Sequence, residues 1–239
     1  MDRWQSAINI AVTVLAVVAV VGLLVQHRAQ RAWAFTAHLT LTAIWGIAVA
    51  LAPGMIAWRA WLAKEIVLSL LTLTIAVEIA LRVFARAPEA FRFARLVLAG
   101  ILTITALFLV LDLPRPDSPP FPQTSPAEVA AFETALTLLP RLAYGSAWLL
   151  GALFMLSTSD KLPFDPLHRV IVIGLGAYLC AYAVLLGLLP PEQPHARLVS
   201  DVLTWSYLGV LAVWTFAAWG PERHDGRPDV VRHFFPWIR

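Results

Sequence analysis

Charge is scarce in this sequence: only 14% of its 239 residues are Asp, Glu, Lys or Arg, against about 25% in an ordinary soluble domain. Two further shortages narrow the chemistry. Cysteine occurs once, at Cys180, which excludes an internal disulfide, a C-x-x-C redox pair and a cysteine-built metal site. Lysine occurs twice, at Lys64 and Lys161, and neither sits in a phosphate-binding loop. No H-E-x-x-H, Walker, G-x-S-x-G or glycine-rich dinucleotide pattern is present. The six histidines, at 27, 38, 168, 195, 224 and 233, include no pair four apart that would suit zinc. The expectation is a protein that is not an enzyme and has no metal centre.

Apolar residues, at 59%, are what the chain has in excess. About 20 of them in a row cross a bilayer as a helix, and seven stretches qualify: 7–26, 33–52, 62–84, 93–113, 126–157, 167–189 and 198–220. Proline or charge separates them. The fold class expected is therefore all-α, a polytopic bundle of seven transmembrane helices over residues 1–221, followed by a short interfacial tail at 222–239. Between the fourth and fifth stretches, residues 112–125 carry prolines at 114, 116, 119, 120 and 122, so this connection should be extended and irregular. The seventh stretch contains no lysine, which excludes a retinal Schiff base there despite the matching helix count.

Basic residues set the orientation. Twelve of the 18 Lys and Arg fall on one side of the expected bundle: Arg28, Arg31, Arg82, Arg86, Arg92, Arg95, Lys161, Arg169, Arg223, Arg227, Arg232 and Arg239. Five fall on the other, Arg3, Arg59, Lys64, Arg115 and Arg197, and Arg141 lies within a segment. The positive-inside rule then puts the N-terminus outside and the C-terminus in the cytoplasm of a bacterial inner membrane. Topology accounts for the net charge of +3, and no basic face alternates with stacking aromatics, so nucleic acid is not an expected partner. The first segment has its basic flank after the apolar run and is too long for a signal h-region, which reads as a retained reverse anchor. Trp4, Trp58 and Trp61 fall at the outer interface, Trp33, Trp219 and Trp237 at the inner one, whereas Trp45, Trp148, Trp205 and Trp214 lie deeper and should pack in the core.

Ionisable groups at membrane depth are costly and therefore candidates for function. At about 1.5 Å per residue, Glu65, Arg141 and Asp201 come to one level just under the outer surface. Pro140 should kink the fifth segment beside Arg141, so the three charges form either a structural clamp or a ligand site. Near the inner surface lie His38 and Glu78. Glu78 precedes Arg82 by four, the favourable order for an intrahelical ion pair. His38 shares a stripe with Thr42 and Trp45, and is either a satisfied core histidine or a ligand to a haem or chlorophyll metal; the cofactor is otherwise unknown. Gly176, Cys180, Ala183 and Gly187 line one small-residue face of the sixth segment, suited to close contact with a helix of this chain or of a partner. Cys180 should be a small buried core thiol. In the tail, Phe234, Phe235 and Trp237 need a surface, either the lipid headgroups or a partner subunit.

Several of these stretches resemble a family of uncharacterised seven-helix membrane proteins from bacteria of the acidobacterial type. Carrying the likeness are the third segment from Trp61, WLAKEIVLSLLTLTIAVEIALRVF, with glutamates thirteen apart, Glu133 with Arg141, residues 174–183, and Trp214 through Gly220-Pro221-Glu222. Pro140 and the proline-rich loop depart from that pattern. The resemblance implies fold and location, and no activity. Together these features lead to the expectation of a non-catalytic subunit held in the lipid bilayer among partner subunits of a larger membrane assembly. The competing expectation is a sensor or carrier for a small acidic or amphipathic ligand at Glu65, Arg141 and Asp201.

Overall fold

The computed structural model describes residues 3–52, 58–85, 99–100, 103, 142–155, 165–188 and 193–220. Among them every regular element is helical: α1 (Arg3–Val25), α2 (Trp33–Leu51), α3 (Trp58–Ala85), α4 (Leu142–Met155), α5 (Pro166–Leu188) and α6 (Gln193–Trp219). Four contain spans long and apolar enough to cross a bilayer, Ser6–Val25, Trp33–Leu51, Ala60–Val83 and Asp201–Trp219. These agree closely with four of the seven stretches. The expected segment 93–113, apart from helical residues 99–100 and 103, the proline-rich 112–125 and the tail 222–239 lie outside the described residues, as does the first half of 126–157.

Surface and interior are inverted relative to a water-soluble protein. The side of α1 that faces away from the bundle carries Ile10, Val14, Val17, Val18, Val21, Leu24 and Val25, all exposed, whereas His38, Ser146 and Glu78 are buried. Lipid is the medium that makes such a surface stable. Hydroxyls inside the helices obey the same rule, since no water is at hand to satisfy them. Thr36, Thr40, Thr42, Thr72 and Thr215 each donate to the carbonyl four residues back, at 2.7 to 2.9 Å.

The helices follow one another around an arc in the order α3, α2, α1, α6, α5. The arc closes where α2 reaches α6: Phe35 meets Trp214 edge to face at 5.0 Å. Small residues permit the close approaches. A Cβ on Gly22 of α1 would lie 2.7 Å from Trp219 Nε1, whose N–H donates to the Val18 carbonyl at 3.1 Å. A Cβ on Gly174 of α5 would lie 2.7 Å from Trp214 Nε1 and 3.0 Å from Val210. Glycine is thus needed at both positions for α6 to seat. At its start α5 has Pro166 in the first turn, where the missing N–H costs nothing, and Asp165 as N-cap, accepting from Leu167 N–H at 2.9 Å.

Two expectations about packing are corrected here. Cys180 is exposed, not buried. The α5 face turned to the core runs through Leu167, Ile171, Val172, Leu175 and Leu179, so the position after Leu179 points outward. Of the four deeper tryptophans, Trp214 is fully buried, but Trp148 is 76% exposed and Trp205 is also exposed, its ring tilted against that of Trp4 with centroids 5.8 Å apart. Ala147, Leu149 and Leu150 take the core side of α4, which leaves Trp148 on the other side.

Candidate functional site

Two polar assemblies lie within the bundle. The first gathers on the turn at residues 26–32 between α1 and α2, which reverses the chain through His27 in the left-handed region, φ 52°. Every helix begins with N–H groups that have no partner within it, and in α2 two of them find Glu78 of α3. Its Oε1 accepts from Trp33 N–H at 3.3 Å and its Oε2 from Ala34 N–H at 3.0 Å. A carboxylate at a helix N-terminus also complements the macrodipole. Arg82 then neutralises the carboxylate, with Nη2 and Nε at 2.7 and 3.0 Å from Oε1, and its Nη2 reaches on to the Gln30 carbonyl at 3.0 Å.

The same turn holds the other end of the chain. Arg28, buried, donates from Nη1 to the Ala217 carbonyl at 3.1 Å and from Nη2 to the Gly220 carbonyl at 3.0 Å. Ala217 is in the last turn of α6 and Gly220 directly follows it, at the end where a helix presents its partial negative charge. His168 of α5 completes the set, its Nε2 lying 3.0 Å from the Arg31 carbonyl. One seven-residue turn thereby fixes α3, α5 and α6, and we refer to this end of the bundle as the clasp.

A second assembly lies between the clasp and the opposite end. His38 of α2 is only 6% exposed. Its Nε2 faces the hydroxyl of Tyr207 on α6 at 3.4 Å, and its Nδ1 has no hydrogen-bond partner. The Leu68 carbonyl approaches the ring, without hydrogen-bond geometry to Nδ1, and already accepts from Thr72 at 2.9 Å. Tyr207 interacts with Thr42 and packs its ring on Tyr178 of α5 at 5.3 Å. Tyr182 follows one turn along, at 6.4 Å from Tyr178. On the clasp side of His38, the fully buried pair Phe35 and Trp214 forms an apolar floor.

The candidates from sequence are therefore distributed as follows. Glu78 and Arg82 are joined, as their spacing anticipates, but the use of Glu78 to cap α2 was missed. The signal was present: α2 starts and α3 ends on the same side of the bilayer, and the start of α2 carries no capping side chain of its own. Glu65 pairs with its neighbour Lys64, whose ammonium lies 5.3 Å over the Trp45 ring. Asp201 is exposed, and Arg141 lies outside the described residues, as do Phe234, Phe235 and Trp237. The small-residue face divides: a Cβ on Gly176 would stand 3.8 Å from Leu150 of α4, an ordinary contact, while Cys180 faces outward. Ala183 and Gly187 continue the helix. The close glycine is Gly174, which the four-three-four pattern omitted.

For a haem or chlorophyll, His38 offers poor access, because Nε2 is turned to Tyr207 and the ring is enclosed by the bundle. Among the described residues no group of three His, Cys, Asp or Glu could hold a metal ion. The second assembly joins one imidazole to one phenol, His38 to Tyr207, and adds Tyr178 and Tyr182 to it by ring packing. No family model, curated protein or solved structure matches the chain.

Proposed function

We propose that the chain is a non-catalytic integral subunit of a bacterial inner membrane, with seven transmembrane helices, N-terminus outside and C-terminus in the cytoplasm, working within a larger assembly of the energy-transducing or pigment-containing kind. The clasp carries this reading. Glu78, Arg82 and Arg28 spend their hydrogen bonds on this chain's own backbone, so the charges nearest the inner surface position helices. Such use suits a scaffold. The basic asymmetry supports the orientation, and the outward Trp148 supports a contact surface, since tryptophan is enriched in the anchors of protein interfaces.

Purifying the full chain in gentle detergent tests the assembly, with mass spectrometry and an absorption spectrum as readouts. A stoichiometric membrane partner is the expected result, and a chain recovered alone and colourless would sink it. Deleting residues 231–239 then tells whether Phe234, Phe235 and Trp237 hold that partner or sit among headgroups. Truncated chain still in an intact assembly assigns them to lipid.

A second reading, the sensor or carrier of a small acidic or amphipathic ligand at Glu65, Arg141 and Asp201, is favoured by one observation: Glu65 is a half-buried carboxylate within the apolar span of α3. Arg141→Leu separates it from a clamp of Arg141 on Glu65 or Asp201. Lost ligand binding with unchanged melting supports the carrier, whereas melting lowered by about 1–3 kcal/mol equivalent supports the clamp.

A further inference from the structure

The seam between α1 and α6 is closed along one half of its length and open along the other. Toward the clasp, the Thr215 hydroxyl lies 3.2 Å from the Leu15 carbonyl, and the Trp219 indole abuts Gly22 and donates to the Val18 carbonyl at 3.1 Å. Away from the clasp the two helices leave a groove of about 710 Å³, with Ala7, Ala11 and Leu15 on one wall and Leu208, Gly209 and Ala212 on the other. That volume lies within the range of about 300–1,000 Å³ usual for small-molecule sites. Ala7, Gly209 and Ala212 are exposed, so the groove opens sideways into the bilayer, and a Cβ on Gly209 would meet nothing within 4 Å. At the far end Trp205 forms part of the lining, with the Trp4 ring tilted against it.

Length and charge decide what fills it. Trp4 to Leu15 and Asp201 to Ala212 are each eleven residues apart, about 16 Å of helix, which matches one leaflet of a hydrocarbon core about 30 Å thick. A partner helix lying along the whole seam would strike Trp219, whereas a single acyl chain ends before it. Asp201 is the first residue of the apolar span of α6 and stands one turn before Trp205 on the face that lines the groove. It is exposed, and no cation pairs with it among the described residues. A carboxylate at this level is costly unless it meets a positive charge. The same ends of α1 and α6 carry Arg3 and Arg197 in the sequence, so a zwitterionic headgroup finds both signs there. We propose that the groove seats one acyl chain of a phospholipid with a primary-amine headgroup, of the phosphatidylethanolamine kind. Its ammonium donates to the Asp201 carboxylate, the tryptophan pair stands at the interfacial level where such rings sit, and the chain runs past Gly209 to Ala212. A primary ammonium offers three N–H donors, and the trimethylammonium of a choline headgroup offers none, so Asp201 selects between them. The site belongs to this chain alone, and its test is separate from the search for a partner subunit.

The test uses the full chain purified in detergent and titrated with phosphatidylethanolamine or with phosphatidylcholine of identical acyl chains, bound lipid being counted by native mass spectrometry. One retained phosphatidylethanolamine is expected, held about tenfold more tightly than phosphatidylcholine, the scale of a charge-assisted hydrogen bond. Asp201→Asn should bring the two lipids level. Gly209→Leu places its side chain in the open groove and should displace the lipid at unchanged melting. Equal affinity for the two headgroups in the unsubstituted chain overturns the proposal, as does a retained lipid that Gly209→Leu leaves in place. A dimer that Gly209→Leu dissolves without loss of lipid also overturns it and assigns the groove to a second copy. Asp201 is exposed, so Asp201→Asn decides the matter alone if the leucine variant does not fold: a lost headgroup preference supports the site, and an unchanged one overturns it.

Discussion

Glu78 shows how one residue can be read correctly and incompletely at once. Its spacing from Arg82 announces an ion pair, because four residues bring two side chains onto one helix face. What spacing cannot announce is that both carboxylate oxygens also terminate α2, since that depends on which helix lies beside α3. Glu78→Gln leaves one acceptor where two were used and turns an amide N–H toward other donors. Chemical or thermal unfolding in detergent should show a loss of about 2–4 kcal/mol. Arg28 was counted for topology alone, yet its guanidinium spans two carbonyls at the C-terminal end of α6. Arg28→Ala should cost about 1–3 kcal/mol by the same assay. Arg28→Lys should recover only part, because a single ammonium cannot reproduce a fork.

Helices as units were the most legible part, because crossing hydrocarbon demands a run of apolar residues whatever the neighbours are. The faces were less so. In a membrane both the lipid side and the packed side of a helix are apolar, so polarity does not mark the inside, and small size misplaced Cys180 as depth along the helix misplaced Trp148. Small residues in a stripe likewise gave no ranking among glycines. The structure does rank them. Gly174→Ala drives a methyl group into Trp214 and Val210 and should destabilise by about 1–3 kcal/mol, as overpacking does. Gly176→Ala meets only Leu150 at 3.8 Å, and Gly209→Ala meets nothing within 4 Å. Both should be neutral or gain up to about 1 kcal/mol from helix propensity. Melting of the three variants side by side checks the order, and a Gly174→Ala protein as stable as Gly209→Ala would remove the close contact from the account.

For the whole molecule, orientation rests on arithmetic over the chain, twelve basic residues against five, and reporter fusions at the C-terminus measure it directly. Activity of a cytoplasmic reporter is expected, and activity only of a periplasmic one would reverse every assignment of outer and inner. The His38 assembly was half legible for the same reason that Glu78 was: the stripe of His38 with Thr42 is local, whereas Tyr207 comes from 169 residues away. The clasp has longer separations still, and they carry a consequence in time. Arg28 is made well before its acceptors, which lie 189 and 192 residues later in the chain. At roughly 5–20 residues per second, the ribosome needs about 10–40 s to supply them. Through that interval Arg82 of α3 and then His168 of α5 can reach the turn at Gln30 and Arg31, but the Arg28 guanidinium lacks both of its acceptors. Arrival of the last helix closes the ring of contacts. A chain that stalls before α6 is thus left with the Arg28 guanidinium lacking the two carbonyls that hold it in the complete bundle.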